Sequence, residues 1–154
     1  MIFDKDNTLT DHHDPTVRSD LLPSLDAAIS MFGKDKVWVF SNNRQSAMDH
    51  HVSMLNHSHY HKKPLCDGQL VDDLKIEGRQ TIIVGDRLMT DICLGHRLNG
   101  LSIYVRPWNT DTEQRNIAVS RCLENFVWRS MMKCELSRHD NATVNDLANQ
   151  SRNN

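Results

Sequence analysis

The sequence predicts an α/β fold in which helices flank both faces of a parallel β-sheet. Short apolar runs that end in turn-forming or acidic residues alternate with segments of helical periodicity, as in βαβ units. The apolar runs lack polar–apolar alternation, which is typical of strands covered on both faces. The 154 residues suit one domain with a buried core.

The strands are predicted where β-branched and aromatic residues form continuous runs. These runs cover residues 37–40, 81–84 and 101–105, and residues 1–3 have the composition of a short fourth strand. The carboxyl ends of parallel strands meet at one edge of a sheet, where loops and helix starts bind ligands. The sequence therefore predicts a Rossmann-like core with its site at that edge.

Helices are predicted from apolar residues spaced near 3.6 residues apart. The clearest covers residues 20–32, with Pro23 suited to the first turn and Gly33 to the stop. Weaker helical patterns cover residues 44–55, 65–76 and 90–98.

A longer amphipathic pattern covers residues 112–136 and is expected to pack into the core, with a membrane-surface helix as the alternative. Its apolar stripe consists of Ile117, Leu123, Phe126, Val127 and Met131. Residues 139–154 are polar and rich in asparagine, which predicts a disordered tail after one domain at residues 1–138.

The composition argues against several classes of protein. The 18 Lys and Arg residues nearly match the 20 Asp and Glu residues, so a net charge of −2 predicts no general attraction to nucleic acid. No apolar run approaches the roughly 18 residues of a transmembrane helix. The four cysteines form no CxxC pair, which favours free thiols over a disulfide framework.

Acidic residues at the predicted strand ends indicate a metal site. Asp4 and Asp6 lie one residue apart, and Mg²⁺ would remove the repulsion between two such carboxylates. Asp86 ends another strand and offers a third oxygen ligand, and Asp91 lies about one helical turn beyond it. The alternative is that Asp4 and Asp6 only cap a turn, which Asn7 and Thr8 close.

Groups suited to phosphate are expected at the same edge. Ser41 and Asn42 follow the second strand, where they bind a phosphoryl group or simply cap a helix. The triplet Lys62-Lys63-Pro64 offers an ammonium beside a proline that restricts the backbone, and an exposed, solvated lysine is the alternative. His57 and the alternating His59 and His61 suggest a zinc site, but a solvated loop is preferred because no second ligand pair accompanies them.

Four ordered segments carry a family pattern: FDKDNTLT from Phe3, SNN from Ser41, KKP from Lys62 and VGDRLMTD from Val84. They resemble the motifs of the haloacid-dehalogenase-like (HAD) phosphatases. Within that superfamily, Lys5, the KKP triplet and GDRLMTDICLGHRLNG resemble the mitochondrial and plastid phosphatidylglycerophosphate phosphatases and their bacterial relatives. The resemblance covers residues 2 to about 107.

The resemblance implies a role for each matching residue. Asp4 would attack phosphorus and form an aspartyl-phosphate, and Asp6 would protonate the leaving alkoxide and later take a proton from water. Ser41 would bind a phosphoryl oxygen, and Lys63 would neutralise charge on Asp4 and the phosphate. Mg²⁺ would be held by Asp4, the Asp6 carbonyl and Asp86, with Asp91 supporting the site.

Spacing and resemblance together predict the substrate. Roughly 33 residues separate Thr8 from Ser41 and about 22 separate Ser41 from Lys63, so each span holds one crossover and leaves no room for a cap domain. An open site suits a bulky or membrane-presented phosphomonoester, and the alternative is a partner protein that covers the site. The resemblance implies a phospholipid at a membrane surface, phosphatidylglycerophosphate, which is hydrolysed in the synthesis of phosphatidylglycerol and cardiolipin. The resemblance implies a mitochondrial enzyme on the matrix side of the inner membrane, although this chain carries no targeting segment.

Two alternatives to this function remain open from the sequence. One is a related phosphatase that acts on a soluble sugar or nucleotide phosphate. The other is a non-catalytic binding domain on the same fold, against which the presence of an acid/base residue, Asp6, argues. The oligomeric state is not predicted.

Overall fold

The computed structural model describes residues 1–12, 14–42, 48–49, 51–56, 61–63, 65–75, 81–111 and 117–130. The chain divides into two compact units, Met1–Gln114 and Arg115–Asn154. The predicted domain end at residue 138 and the predicted tail at residues 139–154 lie outside the described residues, and both stay predictions.

The first unit contains a five-stranded parallel sheet. Its strands are β1 (Ile2–Asp4), β2 (Trp38–Ser41), β3 (Ser53–Asn56), β4 (Ile82–Gly85) and β5 (Leu101–Tyr104). They lie in the order β3-β2-β1-β4-β5, so the predicted parallel α/β fold is confirmed. From β1 the chain adds β2 and β3 on one side of the sheet and then crosses to add β4 and β5 on the other side. The strand order therefore reverses between β1 and β4, and sheets of this kind bind ligands at such a point.

The register of the central strands brings their carboxyl ends to one level. Asp4 of β1 pairs with Phe40 of β2, so the next residue of β2, Ser41, lies beside the end of β1. On the other side, the parallel pairing with β4 brings Gly85 to the same level. The predicted site residues that follow these strands therefore start from neighbouring points.

Helices cover both faces of the sheet. They are α1 (Leu22–Phe32), α2 (Asp67–Leu74) and α3 (Cys93–Arg97). Alternate strand residues enter two separate cores. One core includes Phe3, Val39 and Val84 with Leu25 and Ala28 of α1. The other includes Ile2, Phe40 and Ile83 with Leu70 of α2 and Leu94 of α3. The central strands β1, β2 and β4 are thus buried on both faces, as predicted. The prediction is wrong for β5, where Leu101 is 59% and Ile103 40% exposed, because β5 lies at the edge of the sheet.

The first helix follows its prediction closely. α1 carries Pro23 in its first turn and ends at Gly33, whose amide donates a hydrogen bond of 2.9 Å to the carbonyl of Ile29. Gly33 has a φ of 89°, a conformation that side chains disfavour, so glycine is suited to end the helix.

The segment after β2 differs from its prediction. The helix predicted at residues 44–55 is wrong at its end, because residues 53–56 form β3 and pair with β2. Its helical pattern was weak, and pairing at the sheet edge outweighs such a local preference. The helix predicted at residues 65–76 is present as α2. The helix predicted at residues 90–98 is present as a π-helix (Leu88–Ile92) that continues into α3.

In the second unit the structure describes one helix, at residues 117–130. Its apolar stripe is exposed: Leu123 is 59% and Phe126 70% exposed, while Arg121 and Glu124 on the other side are buried. The core that this stripe is predicted to pack into belongs to the first unit, so the packing stays a prediction. Periodicity shows which residues share a face, whereas tertiary packing decides which face is covered.

Two predictions about composition can be compared with the described residues. Cys66, Cys93 and Cys122 are free thiols as predicted, and Cys134 lies outside the described residues. Within the described part of the chain, every helix is too short or too polar to cross a bilayer.

Candidate active site

The turn after β1 presents the first two predicted acids. The carbonyl of Lys5 accepts hydrogen bonds from the amides of residues 8–10, at 3.3, 2.9 and 3.0 Å. Asn7 has a φ of 62°, a left-handed conformation that asparagine tolerates better than most residues. The turn holds Asp4 and Asp6 at the sheet edge, where their side chains are 13% and 20% exposed.

Lys63 reaches this edge from the segment before α2. Its Nζ donates to Asp4 Oδ1 at 2.7 Å, to Asp91 Oδ1 at 2.5 Å and to the Phe40 carbonyl at 3.2 Å. The three donors of the buried ammonium therefore all have acceptors, as burial of a charge requires. Asn42 Oδ1 accepts the backbone amide of Lys63 at 2.9 Å and so fixes the segment that carries the lysine.

Asp91 reaches the site through the π-helix at Leu88–Ile92. The backbone amide of Arg87 donates to Asp91 Oδ2 at 3.1 Å. Gly85 makes this approach possible, because a Cβ at that position would overlap the Asp91 carboxylate. Single π-helical turns are frequent at functional sites, and this one directs a buried carboxylate to the end of β4.

Asp4, Asp86 and Asp91 form what we call the acidic cluster. Each offers a carboxylate oxygen, and these oxygens all lie within 4.8 Å of one another. Burial, followed by repulsion from Asp91 and Asp86, raises the pKa of Asp4 to about 8, although Lys63 opposes the shift. Burial lowers the pKa of Lys63, but attraction to Asp4 and Asp91 outweighs it, so the pKa is raised and the lysine stays protonated.

The donor set of the acidic cluster fits a hard divalent cation. Carboxylate oxygens are the ligands that Mg²⁺ prefers, and ligands on opposite sides of this ion lie about 4 Å apart. The oxygens of the acidic cluster lie within 4.8 Å of one another, which is near enough for them to share one ion. The acidic cluster has three carboxyl groups against the single ammonium of Lys63, so ionisation of Asp4 would add negative charge that a divalent cation would balance.

Ser41 and Asn42 make contacts that the sequence did not predict. Ser41 Oγ donates to Asp6 Oδ2 at 3.2 Å and is wholly buried. The Asn42 side chain engages the backbone of Lys63, as described above. In this arrangement both side chains hold other site residues in place, and their predicted contacts with phosphate stay predictions.

The structure brings together all the side chains that the sequence proposed for the site. They are Asp4, Asp6, Ser41, Asn42, Lys63, Asp86 and Asp91. The sequence indicated Thr8 only as a residue that closes the turn, and not the hydrogen bond of 3.3 Å that its Oγ1 donates to Asp4 Oδ2. The contact of Lys63 with the Phe40 carbonyl was not predicted either. The position of Thr8 four residues after Asp4 in a tight turn is a usable sequence clue, whereas a backbone carbonyl leaves none.

Two predictions near the site depend partly on residues that the structure does not describe. His57 and His59 lie outside the described residues, and the backbone amide of His61 donates to Gln69 Oε1 at 2.8 Å. The described residues between Thr8 and Ser41 include α1, and those between Ser41 and Lys63 include β3. The absence of a cap domain concerns residues 43–47 and 57–60 as well, so it stays a prediction.

Comparison with known proteins gives a family match over the sheet and the site. The model of the family described as mitochondrial PGP phosphatase matches residues 1–107. No solved structure matches this chain significantly.

Three curated relatives carry names that describe the same activity. Phosphatidylglycerophosphate phosphatase 1, chloroplastic/mitochondrial, of Arabidopsis thaliana is 28% identical over 159 residues, covering 96% of this chain and 45% of that protein. Phosphatidylglycerophosphate phosphatase 1, chloroplastic, of Chlamydomonas reinhardtii is 30% identical over 139 residues, covering 82% and 51%. The mitochondrial phosphatidylglycerophosphatase of Saccharomyces cerevisiae is 25% identical over 123 residues, covering 69% and 65%. The chain thus spans about half to two thirds of the length of these relatives.

Proposed function

Because the chain belongs to the mitochondrial PGP phosphatase family, we propose that it hydrolyses phosphatidylglycerophosphate to phosphatidylglycerol through a phosphorylated Asp4. One observation carries the proposal: Lys63 Nζ contacts both Asp4 and Asp91. This contact joins the first, third and fourth sequence motifs in one buried centre. A carboxylate nucleophile beside a fixed cation is the arrangement that covalent phosphoryl transfer needs.

The residues at the sheet edge suit a two-step displacement. In the first step Asp4 attacks phosphorus, the bond from phosphorus to the lipid oxygen breaks, and Asp6 gives its proton to the leaving alkoxide. In the second step water attacks the phosphorus of phospho-Asp4 and gives a proton to Asp6, which releases phosphate and restores Asp4. Lys63 donates to Oδ1 of Asp4 at 2.7 Å, whereas the hydrogen bond from Thr8 to Oδ2 is longer, at 3.3 Å, so Oδ2 is the oxygen that we assign to the attack.

We also propose that Mg²⁺ is the cofactor. Asp4 and Asp86 would hold it together with the carbonyl of Asp6, and Asp91 would support the site; the spacing and excess charge of the acidic cluster support this assignment. When bound, the ion would supply positive charge that favours ionised Asp4 and stabilises phosphoryl oxygens.

Magnesium should stabilise the folded protein independently of turnover. In chelator-treated protein, Mg²⁺ at about 100 times its dissociation constant should raise the Tm by roughly 5–10 °C. Asp86→Asn should remove most of this shift, because it removes one charged ligand. The matched control is Asp73→Asn, which changes an exposed residue of α2 and should keep the shift. An unchanged Tm in the wild type, or a full shift in Asp86→Asn, would contradict the proposed site.

A phospholipid substrate implies that the protein works at a membrane surface, and we propose a mitochondrial location. The Arabidopsis relative is named chloroplastic/mitochondrial and the yeast relative mitochondrial, which supports that location. The exposed apolar side chains of the helix at residues 117–130, among them Leu123 and Phe126, support contact with lipid. The side of the membrane is proposed from family resemblance as the matrix side of the inner membrane.

The proposed function is tested by phosphate release from a substrate panel, with and without Mg²⁺. The panel contains phosphatidylglycerophosphate in vesicles, its short-chain soluble form, a sugar phosphate and a nucleoside monophosphate. We expect the two lipid forms to give the highest kcat/KM and Mg²⁺ to be required. A preference for the sugar or nucleotide ester would support the related soluble-substrate phosphatase, and no release from any ester would support a binding domain.

A further inference from the structure

Lys5 is a buried charged residue that the two-step displacement does not use. Its side chain is 2% exposed, although it lies between the two acids of the first motif. Its Nζ donates to Asp6 Oδ1 at 3.2 Å and to the backbone carbonyl of Asp14 at 2.6 Å. A buried ammonium persists only where such acceptors are provided, so these contacts define where the side chain lies.

The contacts of Lys5 restrict the carboxyl group of Asp6. Lys5 Nζ holds Oδ1, and Ser41 Oγ holds Oδ2 at 3.2 Å. A carboxyl group that is engaged at both oxygens has little freedom to rotate. Lys5 is itself anchored, because Asp14 accepts from its ammonium and residues 8–10 donate to its carbonyl.

We propose that Lys5 is a positioning residue, which fixes the carboxyl group of Asp6 at the leaving oxygen of the phosphate ester. This inference rests on the proposed function, in which Asp6 is the acid of the first step. Precise placement of a general acid matters most when the leaving group is a poor one, because an alkoxide needs a proton and a nitrophenolate leaves without one. The effect of removing Lys5 should therefore depend on the leaving group.

The test compares Lys5→Met with the wild type on two esters. Short-chain phosphatidylglycerophosphate has an alkoxide leaving group, and p-nitrophenyl phosphate has an aryl oxide. The parameter is kcat/KM, because it reports the steps up to formation of the phosphoenzyme and omits its later hydrolysis. We expect a loss of about 100-fold on the lipid and less than about fivefold on the aryl ester. Lys5→Arg should recover part of the loss on the lipid, because arginine also donates to a carboxylate.

A matched control separates positioning from general loosening of the turn. Thr10→Val removes a buried hydroxyl that donates to the Asp11 carbonyl at 2.9 Å and lies 3.4 Å from the Lys5 carbonyl. The substitution should leave the Lys5–Asp6 contact in place. It should lower kcat/KM by similar factors on both esters. If Lys5→Met does not fold, Lys5→Gln, which is uncharged and can still donate to Asp14, is compared in the same way.

The possible outcomes are distinguishable. Equal losses on the two esters in the Lys5 variants, with an active wild type, would overturn the positioning role and leave the proposed function standing. A wild type that hydrolyses neither ester would overturn both. The positioning role is supported if the Lys5 variants and Asp6→Asn lose more kcat/KM on the lipid than on the aryl ester. Thr10→Val should then lose kcat/KM by similar factors on both esters.

Discussion

Replacing Asp4 by asparagine should abolish phosphate release and leave the fold intact. The amide keeps the shape of the carboxyl group, but it cannot form a bond to phosphorus, so the covalent route is closed. Loss of the covalent nucleophile costs a serine protease about 10⁶-fold in kcat, and we expect a loss of at least ~10⁴-fold here. The measurement is phosphate release from short-chain phosphatidylglycerophosphate with Mg²⁺, with Asp73→Asn as the exposed control. Turnover in Asp4→Asn within tenfold of the wild type would exclude Asp4 as nucleophile.

The same substitution should stabilise the metal-free protein in a pH-dependent way. Burial, as the largest cause, raises the pKa of Asp4 from an ordinary 3.8 to about 8. Between about pH 4 and pH 8 the folded protein therefore keeps a proton that the unfolded chain loses. Because the folded state binds more protons, the free energy of unfolding falls as the pH rises through this range. Asparagine has no proton to lose, so the Tm advantage of Asp4→Asn should grow over this range and level off above it.

Chelator-treated protein and thermal unfolding at several pH values test this stability difference. The exposed control, Asp73→Asn, should follow the wild type at every pH, because its carboxyl group lies on the solvent side of α2. An advantage of Asp4→Asn that shrinks as the pH rises would show that burial does not hold the proton on Asp4.

Replacing Lys63 by methionine should remove both activity and much of the stability. Methionine fills a similar volume, but it leaves Asp4 and Asp91 buried without the ammonium that lies 2.7 and 2.5 Å from them. Breaking a buried ion pair from one side costs about 3–5 kcal/mol. Loss of a fixed positive charge at a developing phosphoryl anion should lower kcat by about 10²–10³-fold or more.

The adjacent lysine supplies the control for Lys63→Met. Lys62 is exposed, so Lys62→Met should change the free energy of unfolding by less than about 0.5 kcal/mol and keep the activity. Urea unfolding and phosphate release measure the two effects separately. Equal stability of the two variants would show that Lys63 is not paired in the core of the site.

The sheet and the convergence of the site could be predicted from the sequence because their determinants are local. Apolar runs identified β1, β2, β4 and β5, and the rule that parallel strand ends meet at one edge then brought Asp4, Ser41 and Asp86 together. The prediction of β3 failed because Ser53–Asn56 is short and carries a weak helical pattern. Its structure depends on pairing with β2, which is not visible in the segment itself.

The hydrogen bonds within the site were less predictable than the residues that form it. Lys63 could be expected near Asp4, but its contact with the Phe40 carbonyl and the engagement of its amide by Asn42 depend on three-dimensional packing. The same holds for Ser41, whose hydroxyl donates to Asp6. Residue types indicate which chemistry is available, whereas hydrogen-bond partners depend on distances that only the folded chain defines.

Trapping the phosphorylated enzyme tests the central claim most directly. Wild type, Asp4→Asn and Asp6→Asn would be mixed with Mg²⁺ and ³²P-labelled phosphatidylglycerophosphate, quenched within milliseconds and digested, and the labelled peptide would be identified by mass spectrometry. We predict label on Asp4 in the wild type, more persistent label on Asp4 in Asp6→Asn, and none in Asp4→Asn. Label on another residue, or equal labelling of Asp4→Asn and the wild type, would contradict the assignment of this sheet edge as a phosphatase centre.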